Sequence, residues 1–351
     1  MIKQKLKCIT IMAVLFIFVS LLMPNQKAYA AAIPEITSGK TYLIINQNSL
    51  KCLNVNYGTD ANGTNVTQYL QDGSAEQKFK LRYYPSRDAY NIYAICSSNG
   101  TNRVVDVLRT GGSSSGNIVS GNNVDIWIPD DNDAQDFIIG GNAIAGYGIS
   151  LRSNDDLVLT SYGTGNGSGA GTSPTSEGNV FISNYQGTLN QLWYIEDSTI
   201  YSTPVTLGWD LVDSGKHMDW GGNSKYSSLF ETATNKWNAY KSGVIRKDNL
   251  STIQDVTISD IYNDKSTTYG VTYPNGKINF NTYQLDKKNS NFQLMICMHE
   301  LGHALGLGGR GEDGNIGGFA AIMYGYPVNN VAKTELTAAD KISYDAAYAN
   351  Y

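Results

Sequence analysis

Two kinds of periodicity divide this chain near residue 200. Before it, apolar residues come in runs of four or so, parted by Gly, Asn and Ser: Cys52-Leu53-Asn54-Val55, Val104-Val105-Asp106-Val107 and Leu157-Val158-Leu159-Thr160. Runs this short, bounded by turn formers, read as strands, because a helix needs ten or more residues to bury a face. After it, apolar residues recur at helical spacing. Leu229, Ala233, Trp237 and Tyr240 step by 4, 4 and 3 within 226–240, which puts them on one helix face. Phe292, Leu294, Met295, Met298 and Leu301 predict a second helix that Ser290 can cap. Thr337-Ala338-Ala339-Asp340 has the form of a capping box, with Asp in place of Glu, opening a third. Asp255–Ser259 and Lys277–Asn281 alternate as half-buried strands do. The fold class expected is multidomain: an all-β domain over 36–197, a linker at 198–206 containing Pro204, and an α+β domain over 207–351.

The first domain repeats itself. Gln77-Lys78-Phe79, Gln135-Asp136-Phe137 and Gln191-Leu192-Trp193 are Gln-x-aromatic triplets spaced 58 and 56 residues apart. Each follows a second landmark: Gly63-Thr64-Asn65-Val66, Gly121-Asn122-Asn123-Val124 and Gly178-Asn179-Val180. One such unit cannot bury its apolar face alone, so three must close on each other. These residues resemble the ricin-type β-trefoil, over roughly 38–197. The resemblance implies a sugar pocket built from an Asp early in the repeat, an aromatic platform and an Asn-Gln pair at the triplet. Asp106 supplies the acid in the second repeat, where Ala134 precedes the triplet. Asn190 and Gln191 supply the pair in the third, where Leu159 stands at the acid's place. The first has Asn54 with Glu76-Gln77, so no repeat holds a complete set. Asp106, Asn190 and Gln191 are the candidate carbohydrate residues. The triplets themselves read foremost as core and hairpin structure.

The chemistry of the second domain lies in its second helix, at His299-Glu300-Leu301-Gly302-His303. Positions i and i+4 share a helix face, so both imidazoles can reach one cation, with Glu300 placed to take a proton from metal-bound water. The motif uses two of the three histidines in the chain, and chance does not explain it. Gly306, three residues on, Ala321-Ile322-Met323-Tyr324 and Leu336–Lys341 resemble the turn, the Met-turn and the last-helix opening of matrixin-type metzincins. The resemblance, over about 206–351, implies a zinc metalloendopeptidase acting on protein or peptide substrates. In it Zn²⁺ is held by His299 and His303, Glu300 is the general base, and Met323 lies beneath the metal. One departure matters: the family's third histidine would fall at 309, and the chain has Gly309. Glu312 and Asp313 follow in a Gly-rich loop; Asp313 is the expected third ligand, since two His and one carboxylate make a competent zinc set. Glu335 as a distant ligand and a tyrosine, Tyr324 or Tyr326, beside the metal are weaker alternatives. His217 reads as a structural residue at the first strand. The other outcome is a pseudopeptidase that lost its third ligand and binds rather than cuts.

Composition narrows the partners. The net charge is −5, only 16% of residues are charged, and Lys and Arg are scattered. Nucleic-acid binding needs clustered cations and is not expected. At the N-terminus Lys3, Lys5 and Lys7 precede an apolar run, Cys8 to Met23, that Pro24 ends before Ala28-Tyr29-Ala30. That is the pattern of a signal peptide over 1–30, and the run is short for a span of about 20 residues. The expected product is secreted and extracellular, without membrane insertion after cleavage. Cys52 and Cys96 could pair, but spacing alone does not decide it, and Cys297 reads as a small buried hydrophobe.

Overall fold

The structure is a computed structural model describing residues 36–96, 103–112, 116–169, 171–311, 318–325 and 329–351. The expected signal peptide, Glu312, Asp313 and Tyr326 lie outside the described residues. The chain forms two compact units, the first ending at Ser198 and the second beginning at Thr199. No helix among the described residues is long and apolar enough to cross a membrane. Cys52, Cys96 and Cys297 are free thiols.

The first unit holds β1 (Thr41–Asn46), β2 (Cys52–Val55), β3 (Thr64–Tyr69), β4 (Phe79–Tyr84), β5 (Ala89–Ala94), β6 (Arg103–Val107), β7 (Val124–Trp127), β8 (Phe137–Asn142), β9 (Gly146–Leu151), β10 (Leu157–Ser161), β11 (Val180–Asn184) and β12 (Trp193–Asp197). Six of them close a ring by antiparallel pairing: β1 with β4, β4 with β5, β5 with β8, β8 with β9, β9 with β12, and β12 with β1. The other six form three hairpins, β2–β3, β6–β7 and β10–β11. Closure removes the exposed strand edges of the six that an open sheet would leave. This is the threefold barrel that the repeats require.

Both landmarks work inside that symmetry. Each triplet glutamine clamps the turn before it. Gln77 Oε1 accepts from Asp72 N at 3.1 Å and its Nε2 donates to Leu70 O at 2.7 Å. Gln135 does the same with Asp130 N and Ile128 O, and Gln191 with Gln186 N and Asn184 O. The aromatics two residues on, Phe79, Phe137 and Trp193, are fully buried. The asparagines of the upstream landmarks form a closed ring. Asn65 donates to Asn179 at 2.9 Å, Asn179 to Asn123 at 2.9 Å, and Asn123 to Asn65 at 2.8 Å. Each amide thus gives one donor and one acceptor to the ring, as a buried amide must to repay its desolvation.

The second unit carries a five-stranded sheet ordered β14 (Ile245–Lys247), β13 (Met218–Asn223), β15 (Val256–Ile261), β17 (Lys277–Asn281), β16 (Gly270–Tyr273). All pairings are parallel except β16 with β17. Helices α1 (Ser227–Asn238), α2 (Thr282–Leu285), α3 (Ser290–Ala304) and α4 (Ala338–Tyr348) complete it. Phe230, Trp237, Ile258, Phe280, Met298 and Tyr344 share one core. The inward face of α1 turns on Phe230, Ala233, Thr234 and Trp237, leaving Tyr240 exposed beyond its end. The cap of α3 is Asn289, whose side chain accepts from Phe292 N, and Ser290 is the first helical residue instead. Asparagine caps as well as serine and sits one residue nearer the chain entry. Thr337 and Asp340 form the expected capping box. The stretch expected as a linker is ordered: Ser198–Ser202 is a 3₁₀ turn, and Tyr201 is buried with its hydroxyl accepting from Ala320 N. The buried Arg310 guanidinium takes the carbonyls of Ile200 and Thr203, which fastens this stretch despite Pro204.

Candidate metal centre and carbohydrate face

Helix α3 ends in a Schellman motif. Gly306, at φ +84°, donates its N–H to His303 O, and Leu307 N donates to Gly302 O. That turn brings the Leu307 carbonyl back to His303, whose Nδ1 donates to it at 2.9 Å. One turn earlier, His299 Nδ1 donates to Ile322 O at 2.9 Å. Carbonyl oxygens only accept, so both Nδ1 atoms carry protons, and in neutral rings both Nε2 atoms then present lone pairs. Those two Nε2 atoms lie 3.1 Å apart. Two facing lone pairs at that distance repel unless a cation or proton sits between them. Tetrahedral zinc with Zn–N of about 2.0–2.1 Å sets its nitrogens about 3.3–3.4 Å apart, so the pair fits that ion with little movement. Desolvation, with the His303 ring second, lowers His299 to about 3, which keeps the imidazole neutral as a metal ligand must be.

The surrounding residues hold this pair in place. A side chain on Gly302 would meet Met323 Sδ at 2.3 Å, so Met323 packs directly against the helix between the two histidines. The Asp340 carboxylate accepts from Ile322 N and Met323 N, both at 3.1 Å, fixing the carbonyl that orients His299. Glu300 is buried, and Thr272 of β16 donates to its Oε2 at 2.8 Å. Gly270, also on β16, leaves room for that carboxyl, since a Cβ there would lie 2.7 Å from Glu300 Cγ. Beyond Gly309 the chain turns Arg310 inward, where it also bonds Ala339 O and Ser343 Oγ. Glu335 is paired with Lys236, and His217 sits beside Asp213. Phe319 packs on Tyr324, whose ring also faces Lys333. The carboxylates of Asp213, Asp219 and Asp255 converge within 4.8 Å, and Arg246 takes both oxygens of Asp219.

The carbohydrate candidates separate. Gln191 is spent on its clamp, and Asn190 donates to Ser161 O while accepting from Thr188 Oγ1. Asp106 instead stands on the outer face of β6, hydrogen-bonded by Gln135, and burial lifts it to about 6. Across the hairpin Asp106 pairs with Asp125 and Val104 with Trp127. Trp127, 38% exposed, therefore flanks Asp106 on the same face. The sequence reading missed it; the signal was the parity of Val124-Asp125-Ile126-Trp127, which sends 125 and 127 outward together.

The family model of the ricin-type beta-trefoil lectin domain-like family matches residues 25–120. Over those residues the first unit is ricin-type β-trefoil lectin-like. Strands β7 to β12, beyond the matched residues, complete the barrel and its hairpins through their own pairings. The designed threefold-symmetric protein ThreeFoil is 24% identical, with TM-score 0.35, over 45% of this chain and 98% of its own. The Rhizoctonia solani agglutinin is 22% identical, TM-score 0.36, over 47% and 99%. The Macrolepiota procera ricin B-like lectin, in complex with lactose, is 16% identical, TM-score 0.34, over 46% and 99%. No curated protein matches the chain.

Proposed function

We propose that this protein is a secreted zinc metalloendopeptidase whose lectin-like domain carries it to carbohydrate. The observation that supports the peptidase reading best is the pair of Nε2 atoms 3.1 Å apart, each ring pinned through Nδ1 to a backbone carbonyl. In this reading His299 and His303 hold the ion, with Asp313 as the third ligand. Bound zinc supplies a Lewis acid for the scissile carbonyl and lowers the pKa of its water towards neutrality. Glu300 takes up and returns the proton, its carboxyl oriented by Thr272. Among the described residues strand β16 pairs on one side only, with β17, so its other edge can take an extended peptide as an added strand. On the trefoil, Asp106 offers a charged acceptor and Trp127 an apolar plane for a sugar ring.

The test is Glu300→Gln beside the parent chain. Zinc retention with loss of casein cleavage supports the assignment, and cleavage that persists unchanged rejects Glu300 as the base. A second reading rests on Gly309 and on Arg310 turning inward behind it, which leaves that stretch without a ligand side chain. It makes the unit a peptide-binding pseudopeptidase, marked by peptide capture without turnover.

A further inference from the structure

The outer face of the β6–β7 hairpin sets two carboxylates side by side. Asp106 and Asp125 are directly opposed in the antiparallel register. Their neighbours Val105, Val107, Val124 and Ile126 all point into the core, so both acids share the other face. Opposed residues have Cβ atoms about 4.5–5.5 Å apart, close enough for two charges in a poorly solvated place to repel strongly. Asp125 is only 3% exposed, and its Oδ1 has no hydrogen-bond partner. A buried oxygen without a donor is tolerable on a neutral carboxyl and costly on a carboxylate. Asp106 faces Asp125 across the hairpin, and Gln135, Asp130, Arg109 and Asp133 act on it as well. Arg109, the cation among them, is committed to Asp133 and to Gly116 O. The group that acts on Asp125 is Asp106.

We propose that this pair keeps a single proton at neutral pH, on Asp125, and that the proton gates ligand binding at the second repeat. A hydroxyl-bearing ligand is accepted while Asp106 is ionised and Asp125 neutral. It is released when Asp106 protonates on the acid side or Asp125 ionises on the alkaline side. The gating rests on the carbohydrate reading above, and the proton pair does not. Burial lifts Asp106 to about 6, and burial together with the Asp106 charge lifts Asp125 to about 8. The window of best binding therefore lies between those values, and one pH unit below it the ionised fraction of Asp106 is down to about a tenth.

Trp127 shares the face and reports the pair. Its fluorescence in the full chain, isolated by difference from Trp127→Phe, is followed from pH 4 to 10 alongside binding to a lactose-coated surface. Two steps are expected, near pH 6 and near pH 8. Asp125→Asn should delete the upper step and extend the binding plateau above pH 8, and Asp106→Asn should leave a single step. Circular dichroism of each variant checks that the barrel is intact. A parent profile without a step between pH 5 and 9, or one that Asp125→Asn leaves unchanged, overturns the proton pair. Both steps present with lactose affinity flat across them overturns the gate. Both steps present with no lactose binding at any pH rejects the carbohydrate reading and leaves the proton pair standing.

Discussion

Replacing Asp340 with Ala should loosen the candidate metal centre from behind, without touching a ligand. The carboxylate accepts four bonds: from Thr337 N at 2.9 Å, Thr337 Oγ1 at 2.7 Å, and Ile322 N and Met323 N at 3.1 Å. Ile322 and Met323 are buried, so no water replaces the lost acceptor. Each stranded amide costs about 1–3 kcal/mol, and the broken capping box adds about 1 kcal/mol. A local loss of about 3–7 kcal/mol follows, which is at least a hundredfold in the opening equilibrium at about 1.4 kcal/mol per decade. Amide hydrogen exchange across 318–325 reads that opening directly. Ile322 O also orients His299, so zinc should leave the variant faster than the parent chain. Asp340→Asn, which keeps one acceptor oxygen, should lie between the two. Exchange at Ile322 and Met323 within threefold of the parent would sink the argument that Asp340 anchors this turn.

Three further outcomes follow. Gly302→Ala drives a methyl into Met323 Sδ, and overpacking of that kind costs about 1–3 kcal/mol; a lower unfolding midpoint together with weaker zinc retention is expected. Gln135→Ala loses the hydrogen bonds to Asp130 N and Ile128 O and should destabilise the trefoil by about 1–3 kcal/mol, measured by denaturant unfolding. Stability of the trefoil should also depend on pH through Asp125. Its folded pKa is raised to about 8, so its contribution is fully present below the ordinary unfolded value of about 3.9 and is lost as pH rises to about 8. Asp125→Asn should flatten that slope in thermal melts, and an unchanged slope would exclude Asp125 as its source.

Much of this architecture was legible because it is written in spacing. The 58- and 56-residue intervals of the glutamine triplets are also those of Asn65, Asn123 and Asn179, since each repeat places one residue at each threefold-equivalent point. What those asparagines do was not legible, because a ring of three amides exists only after three distant hairpins meet. The imidazole pair was legible because i and i+4 on a helix meet without any tertiary help. Its supports were not: Asp340, Thr272 and Leu307 O come from a last helix, an edge strand and a post-helix turn. Arg310 carried no signal at all as a buried cation, because its acceptors are the carbonyls of Ile200, Thr203 and Ala339. Trp127 and Asp125 were readable from strand parity, which sends both to the face that carries Asp106. Asn190 and Gln191 fit the resemblance as residue types, yet their polar atoms are turned to the barrel's own backbone and hydroxyls.

The most direct measurement is zinc content of the purified chain after dialysis at neutral pH against trace zinc, with His299→Ala and His303→Ala in parallel. The account predicts close to one zinc per chain in the parent and none in either variant. A parent chain that retains no zinc, or one whose zinc survives loss of either histidine, would contradict it.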